Sequence, residues 1–275
     1  MSGTKKGRTD VFGASATPVT TYRRLQQYVD AFASGHLNLV IVIGAPGLAK
    51  SRTVRERLGD KACWIEGNAT AFGMYAKLFA CRDQLVVIDD VDSLYANARC
   101  VRLLKCLCQT EEEKRLAWHT AATGLERAGI PREFSTKSRL LIIANDWQTL
   151  NRNVAAVQDR GHLISFQPSP AEVHGHVRSW FNDQEILKWY DRHLSLFNTL
   201  SMRHYVRAAE LKRAGLDWQQ ASLPESLPQK MLLVARLKSD ESLCSEEERA
   251  RVFMSVGGGC RATYFNHARR LKMLQ

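Results

Sequence analysis

The sequence contains no long hydrophobic run, and its uninterrupted apolar stretches, of which Leu39–Ile43 is one, have no more than five residues. A helix that crosses a bilayer needs roughly 20 such residues, so we expect no membrane-spanning helix and no membrane partner. The first ten residues are polar and no hydrophobic stretch follows them closely, which predicts no secretory signal. The chain also lacks a GxSxG motif, so covalent hydrolase chemistry has no support.

Cysteine is scarce and follows no paired pattern. The seven cysteines are an odd number scattered over the chain, which indicates a reducing setting and predicts a cytoplasmic or nucleoid-associated protein. Cys100, Cys106 and Cys108 have no second cysteine pair or histidine at zinc spacing, so we interpret them as buried structural thiols. His174 and His176 lack a third ligand and are not predicted to bind a metal.

Composition and charge define the broad class. Hydrophobic residues make up 45% of the 275 residues, and 17 glycines with 7 prolines are unremarkable numbers, so disordered and collagen-like chains are excluded. Of the formal net charge of +11, six units come from residues 249–275, which contain no acid, and two come from residues 1–10. The basic excess therefore belongs mainly to the C-terminal tail, where we expect any contact with a polyanion.

The first two-thirds of the chain alternates between helical and strand patterns. A first helix is predicted to begin at Thr17-Pro18 and to end before Gly35, and a second is predicted over Lys50–Leu58. Three apolar runs with strand character each end in glycine or a polar residue, namely Leu39–Ile43, Leu85–Ile88 before Asp89-Asp90, and Leu140–Ala144 before Asn145-Asp146. This pattern predicts an α/β fold, a three-layer αβα core with a parallel sheet and a site at the carboxyl edge of its strands.

From Ser169 onward the patterns are helical. Pro168 and Pro170 mark the first boundary and Pro224 and Pro228 mark the second. We therefore predict an α/β core over residues 1–168, a helical lid over 169–218 and a basic C-terminal helical module over 219–275.

A glycine-rich loop between a buried strand and a helix predicts a phosphate site. Such a loop turns its backbone N–H groups and the helix N-terminus toward phosphates, while Lys50 reaches the outer phosphates and Ser51 coordinates Mg²⁺. The binding loop comprises Gly44, Ala45, Pro46, Gly47, Leu48, Ala49, Lys50 and Ser51. Ala49 stands where the GxxxxGK[ST] pattern has glycine, and alanine suits this position only if no positive φ is needed there.

Two carboxylates follow the strand at Leu85–Ile88. In a phosphate-loop protein Asp89 would hold Mg²⁺ through its water shell, and Asp90 could orient or deprotonate the attacking water. Taken with the loop, they predict binding of ATP with Mg²⁺.

These motifs, in this order, resemble those of the AAA+ ATPases over roughly residues 15–215. The loop GAPGLAKS resembles Walker A, LVVIDDVD resembles Walker B with Asp90 in place of the family's usual glutamate, and LLIIAND resembles sensor 1. The resemblance implies that Asn145 helps to position water beside the γ-phosphate.

The same resemblance implies two arginine roles. In the segment AVQDRGHLISFQPS, Arg160 corresponds to the arginine finger that reaches a neighbouring subunit's nucleotide, with Arg152 as second choice. Arg203 is placed like sensor 2, contacting phosphates from the lid. A homo-oligomer, a ring or a filament, is the implied assembly, and its activity would depend on that assembly.

The C-terminal tail resembles a helix-turn-helix. A helix capped by Ser245, with Val252, Phe253 and Val256 on its apolar face, precedes glycines and a second helix in which Phe265, Ala268 and Leu271 face inward. The N-terminal residues of the second helix would meet base edges and its later arginines would meet phosphates. The predicted DNA contacts are Arg261, Thr263, Tyr264, Asn266, Arg269 and Arg270.

We therefore expect an oligomeric AAA+ ATPase that acts on DNA or a DNA-bound partner, as in replication, transposition or plasmid and phage biology. Two alternatives stay open. One is a protein-remodelling ATPase of the same fold whose basic tail recruits a polypeptide. The other is a nucleotide-dependent DNA-binding switch with little turnover, which the shorter Asp90 makes plausible.

Overall fold

A computed structural model describes residues 16–91, 97–119, 123–145, 160–224, 228–240 and 242–273, without the side chains of residues 239, 272 and 273. The chain divides into two compact units, residues 1–168 and 169–275. The second unit contains both the segment predicted as a lid and the segment predicted as a C-terminal module. Within the described residues no helix is long and apolar enough to cross a membrane.

The first unit is built on a parallel sheet. Its strands are β1 (Thr17–Val19), β2 (Leu39–Ile43), β3 (Ala62–Glu66), β4 (Leu85–Asp89), β7 (Arg139–Ala144) and β8 (His162–Phe166), and β5 (Lys114–Ala117) pairs with β6 (Glu133–Thr136) in a separate antiparallel hairpin. The spatial order in the main sheet is β1-β8-β2-β7-β4-β3, with every pair parallel. Strand β2 is buried along its whole length, as expected for a central strand covered on both faces.

Helices cover both faces of this sheet. They are α1 (Tyr22–Ala33), α2 (Lys50–Leu58), α3 (Ala71–Ala80), α4 (Ala98–Leu107) and the short α5 (Gly124–Arg127). One face packs Ile41, Ile88 and Ile142 against buried residues of α3 and α4, whereas on the opposite face Tyr22 of α1 meets Phe166 of β8 edge to face, with ring centroids 5.2 Å apart. The predicted three-layer α/β fold is confirmed.

The first helix begins later than the sequence predicted. Residues Thr17–Val19 form the edge strand β1 beside β8, and the helix begins at Tyr22, where Thr21 is the cap and its side chain accepts from the amide of Arg24. The prediction that the helix begins at Thr17-Pro18 is wrong, because these residues pair with β8, and a proline, which has no amide hydrogen to donate, is tolerated in an edge strand as well as at a helix start. The predicted helix Lys50–Leu58 and strand Leu39–Ile43 have their predicted bounds.

A buried lysine anchors the hairpin to the amino edge of the main sheet. Lys114 of β5 is fully buried, and its ammonium donates to Asn38 Oδ1 at 2.8 Å and to the Ser138 carbonyl at 2.6 Å. Asn38 and Ser138 directly precede β2 and β7, so the ammonium joins the hairpin to the starts of two central strands. Burial lowers the pKa of Lys114, and its oxygen partners offset the cost of burying a charge.

The second unit is entirely helical in its described residues. Its helices are α6 (Pro170–Val177), α7 (Gln184–His193), α8 (Met202–Arg213), α9 (Trp218–Ser222), α10 (Gln229–Ser239), α11 (Glu246–Ser255) and α12 (Arg261–Met273). A buried aromatic cluster joins α6, α7 and α8, in which the His174 Nδ1 lies 2.8 Å from the Tyr205 hydroxyl and the Tyr190 and Tyr205 ring centroids are 4.2 Å apart. His174 is thus a packed core residue. Among the described residues, no group of three or more His, Cys, Asp or Glu side chains is placed to hold a metal ion.

The cysteines are all free thiols. Cys100 and Cys108 are buried in the core between the sheet and α4, as predicted, whereas Cys106 is only half-buried against that core. Burial raises the pKa of Cys108 to about 12. Burial beside the Cys81 thiol likewise raises the pKa of Cys63 to about 12. Cys244 and Cys260 are exposed, and a hydrogen bond with Thr263 lowers the pKa of Cys260.

Candidate functional site

The phosphate-loop segment connects the end of β2 to the start of α2 at the carboxyl edge of the sheet. Gly44 lies so close to β8 that a Cβ added there would be 2.5 Å from the Phe166 carbonyl oxygen. A side chain at position 44 would displace the backbone of β8, so this position requires glycine.

Ala49, the residue before α2, is in the left-handed conformation, with φ 54° and ψ 27°. The condition stated for an alanine at this position, that no positive φ is needed, is therefore not met. The chain reverses into the helix at this residue, and a left-handed residue is the local solution that glycine usually supplies. The Ala49 methyl group makes this conformation cost about 1–2 kcal/mol. Backbone strain of this kind is concentrated at functional sites.

Lys50 is the buried centre of the site. The residue is 5% exposed, and its ammonium lies 2.7 Å from the Gly44 carbonyl, 3.0 Å from the Ala45 carbonyl and 3.0 Å from Asn145 Oδ1. An ammonium has three hydrogen-bond donors, so these oxygens suit its geometry. Lys50 and Asn145, two predicted site residues 95 positions apart in the sequence, are in direct contact.

Asn145 also connects the lysine to Asp90. Its Nδ2 donates to Asp90 Oδ1 at 2.7 Å, so the amide presents its oxygen to Lys50 and its nitrogen to the carboxylate. Asp90 has φ 53°, a left-handed conformation that aspartate tolerates better than most residues. Its backbone amide donates to the Ile143 carbonyl of β7 at 3.2 Å, which fixes the residue where β4 leaves the sheet.

Ser51 and Asp89 form the second contact of the site. Ser51 Oγ donates to Asp89 Oδ1 at 2.8 Å, so the two side chains that were predicted to hold Mg²⁺ are adjacent. Burial raises the pKa of Asp89, the hydrogen bond from Ser51 opposes that shift, and the negative charges of Glu66 and Asp90 add to it. A cation at this position would relieve the repulsion among these carboxylates. The hydroxyl and carboxylate oxygens are the ligand types that Mg²⁺ prefers.

Sequence reasoning missed Glu66, a third carboxylate at this edge of the sheet. It ends β3, and it pairs in register with Asp89. The signal was a short apolar run, Ala62–Ile65, that ends in an acid much as Leu85–Ile88 does. The run was missed because only the pairing of β3 with β4 brings its end beside the other acids.

The two arginines implied by the family resemblance lie away from this contact network or in the other unit. Arg160 is exposed and donates to the Lys105 carbonyl at 2.9 Å, near the end of α4. It precedes β8, so it lies at the amino edge of the sheet, opposite the edge where Lys50 lies. Arg203 is an exposed residue in the first turn of α8, in the second unit. Arg152 and Asp146 lie outside the described residues.

The predicted DNA-contacting residues of α12 fall into two groups. Asn266, Arg269 and Arg270 are exposed and share one helix face by their spacing of three and four residues. Arg261 is also exposed but forms an ion pair with Glu247 of α11, and Thr263 is half-buried with its hydroxyl 3.3 Å from Cys260 Sγ.

Tyr264 is fully buried. Its ring meets Phe253 at a centroid distance of 5.6 Å, and its hydroxyl donates to Glu246 Oε2 at 2.8 Å. The prediction that Tyr264 meets base edges is wrong, because its side chain fills the space between α11 and α12. The inward-facing residues of α12 are Tyr264, Ala268 and Leu271. Phe265, which was predicted to face inward, is only half-buried. Val256, which was predicted on the apolar face of the preceding helix, is 58% exposed.

The glycine turn between α11 and α12 is tight. A Cβ added to Gly258 would be 2.5 Å from the Phe253 ring, and the Gly258 amide donates to the Phe253 carbonyl at 2.9 Å. The close approach of backbone to ring explains a glycine at this point of the sequence. Helices α10, α11 and α12 pack against one another.

The parallel sheet, the loop from β2 to α2 and the contacts of Lys50 and Ser51 with the ends of β4 and β7 define a P-loop NTPase fold. No protein-family model matches the chain. Over 121 residues it is 30% identical to the uncharacterized 36.7 kDa protein in the nrdC-mobD intergenic region of Enterobacteria phage T4, a match that covers 41% of this chain and 37% of that protein. The chain thus matches well under half of the length of that relative.

Two solved structures have distantly similar folds. The AAA domain of FIGL-1 in complex with ADP has a TM-score of 0.40 and 13% identity, covering 78% of this chain and 82% of that one. NtrX from Brucella abortus in complex with ATP has a TM-score of 0.44 and 12% identity, covering 97% of this chain and 70% of that one. Because both similarities are remote, the P-loop assignment rests on the geometry of the site.

The left-handed conformation of Ala49 gives a testable prediction. Ala49→Gly is expected to raise the unfolding free energy of the first unit by about 1 kcal/mol, because glycine adopts this conformation without strain and loses only part of that gain to the entropy of the unfolded chain. Hydrogen exchange of peptides from β2 and α2 measures this unit separately. The control is Ala45→Gly in the same loop, where φ is not positive, and it is expected to destabilise the unit. If Ala49→Gly and Ala45→Gly destabilised the unit equally, the backbone of Ala49 would not be strained.

Proposed function

We propose that the chain is an ATP hydrolase of the AAA+ type that acts as an oligomer on DNA or on a DNA-bound partner. The observation that carries the proposal is the convergence of Lys50, Ser51, Asp89, Asp90 and Asn145 at one edge of the sheet, through the two contacts Lys50–Asn145 and Ser51–Asp89. Phosphoryl transfer to water requires positive charge on the phosphates, a metal site and a positioned water, and these residues are of the right types.

In this proposal the loop amides and the N-terminus of α2 bind the phosphate chain of ATP. Lys50 exchanges its contacts with the Gly44 and Ala45 carbonyls for phosphate oxygens, and Asn145 stays beside it to position the water. Ser51 and Asp89 would hold Mg²⁺, which would supply charge neutralisation on the phosphate oxygens.

A nucleotide-dependent DNA-binding switch with little turnover is the second candidate, and the position of Asp90 favours it. Its side chain is one methylene shorter than glutamate and accepts a hydrogen bond from Asn145. A carboxylate held in this way reaches less far toward an attacking water. The two candidates differ in the ratio of turnover to ATP binding.

Arg160 is the residue through which the proposed activity depends on assembly. This arginine is exposed and lies at the edge of the sheet opposite Lys50 of its own chain, so it is suited to a neighbouring subunit's nucleotide rather than its own. A positive charge that arrives in trans stabilises the transition state of phosphoryl transfer. Arg203, exposed on α8, is proposed as a phosphate contact from the helical unit.

DNA contact is proposed through the exposed face of α12. Asn266, Arg269 and Arg270 share this face, and Arg251 of α11 is also exposed. Arginines of this kind bind phosphates, and an asparagine among them can meet a base edge. A protein-remodelling ATPase, with an acidic polypeptide in place of DNA, is the competing reading of the same basic face.

The central test is phosphate release from ATP and Mg²⁺, with and without single-stranded and double-stranded DNA. We expect measurable turnover that DNA stimulates, and a loss of at least roughly 100-fold in Lys50→Ala because the outer phosphates lose their cation. Arg203→Ala is expected to weaken ATP binding. Tight ATP binding without turnover would favour the nucleotide-dependent DNA-binding switch. Turnover that DNA does not stimulate would favour the protein-remodelling ATPase.

Mixing two inactive variants tests the proposed role of Arg160. Arg160→Ala keeps its own phosphate site, and Lys50→Ala keeps its arginine, so mixed oligomers combine an intact site with an intact finger. We expect the mixture to hydrolyse ATP faster than the sum of the two variants alone. Size-exclusion chromatography would establish that both variants assemble. If they do and the mixture hydrolyses ATP no faster than the sum of the two variants, Arg160 does not act on a neighbouring subunit's nucleotide.

Paired charge reversals test the DNA face. Arg269→Glu/Arg270→Glu is expected to weaken binding to a labelled duplex by more than about 10-fold and to lower the slope of log affinity against log salt by roughly 2, since about two phosphate contacts are lost. The control is Arg23→Glu/Arg24→Glu, an equally adjacent exposed pair on α1. Equal losses in the two double variants would show a general charge effect and no contact through α12.

A further inference from the structure

Glu66 lies beside the predicted magnesium-binding carboxylate. Strand β3 is the neighbour of β4, and Glu66 pairs in register with Asp89, which pairs in turn with Ile143 of β7. Residues that pair in register between neighbouring parallel strands point to the same face of the sheet, and the strands are about 4.8 Å apart. Glu66 and Asp89 are therefore side by side at the carboxyl edge.

Helix α2 covers the face to which both carboxylates point. Ser51 in its first turn donates to Asp89, and Arg55, one turn later, donates to Glu66 Oε1 at 2.5 Å. The Arg55 guanidinium also lies 3.9 Å from the ring centroid of Trp64, which shares a face of β3 with Glu66. The Ser51–Asp89 and Arg55–Glu66 contacts thus join consecutive turns of α2 to the ends of neighbouring strands.

The Glu66 carboxylate is partly open to solvent. Glu66 is about half exposed, so water reaches its carboxylate. Arg55 binds Oε1, and the second oxygen of a carboxylate can also accept a hydrogen bond.

Asp90 is less suited to activating water. Its carboxylate accepts a hydrogen bond from the side-chain amide of Asn145, its backbone has a left-handed φ, and its side chain is one methylene shorter than that of glutamate. Glu66 has the additional methylene that Asp90 lacks, and it approaches the Ser51–Asp89 contact from the adjacent strand.

We propose that Glu66 orients the water that attacks the γ-phosphate and takes its proton. This inference rests on the proposed ATP hydrolysis. The water oxygen bonds to the γ-phosphorus, the bond from that phosphorus to the bridging oxygen breaks with its electron pair left on ADP, and the proton released by the water passes to the Glu66 carboxylate. The products are ADP and inorganic phosphate, and the proton then returns to solvent.

The test compares Glu66→Gln with Glu56→Gln, Asp90→Asn and Lys50→Ala. Glu56 is a matched control because it forms an ion pair with Arg52 on the same helix and its side chain has the same 47% exposure as that of Glu66. We expect Glu66→Gln to lower kcat by about 100-fold, the typical contribution of a positioned general base. The dissociation constant for a fluorescent ATP analogue and the melting temperature should match those of Glu56→Gln.

The outcomes separate this inference from the proposed function. Turnover that is lost in Lys50→Ala and in Glu66→Gln, but kept in Glu56→Gln, supports both. Turnover that is lost in Lys50→Ala and in Asp90→Asn, but kept in Glu66→Gln, overturns the role of Glu66 and leaves ATP hydrolysis in place. A loss of ATP affinity equal to the loss of kcat in Glu66→Gln overturns the role in activating water. A wild-type protein that releases no phosphate overturns both.

Discussion

The buried ammonium of Lys50 is the interaction on which the site depends. A charge with so little solvent is tolerated only where oxygens surround it, and here they come from the end of β2 and, through Asn145, from the end of β7. Asn145 passes the connection on to Asp90 at the end of β4. One cation thus holds the ends of three strands together, and a bound phosphate chain would have to replace part of this network.

The central strands and the phosphate loop could be predicted because their signals are local. Leu39–Ile43 is apolar throughout, and Lys50-Ser51 directly follows its glycine-rich turn. The apolar run and the spacing of the loop residues were therefore sufficient to predict the strand and the loop. The edge strand at Thr17–Val19 was mistaken for a helix start, since a threonine followed by proline fits both structures and only the presence of β8 decides between them.

The predictions that were wrong or missing elsewhere in the chain have one physical origin, because each depends on tertiary contacts. Amphipathic spacing indicated which side of α12 is buried only to within one residue, so Tyr264 was placed outside and Phe265 inside. Glu66 attracted no notice because its neighbours at the carboxyl edge are fixed by strand pairing with β4, which no local pattern specifies. The φ of Ala49 is likewise set by the path of the loop into α2, not by the preference of alanine.

The distribution of free thiols has a practical consequence for labelling. A thiol reacts as its thiolate, so burial and a raised pKa make Cys63 and Cys108 inert to alkylating reagents, whereas the exposed Cys260 has a lowered pKa. Cys244 and Cys260 are both exposed; Cys244 lies two residues before α11, and Cys260 directly precedes α12. A maleimide dye added to the native protein would therefore label Cys244 and Cys260, which are exposed, before the half-buried Cys81 and Cys106, and a dye at these two positions would report motion of the helices that carry the basic face.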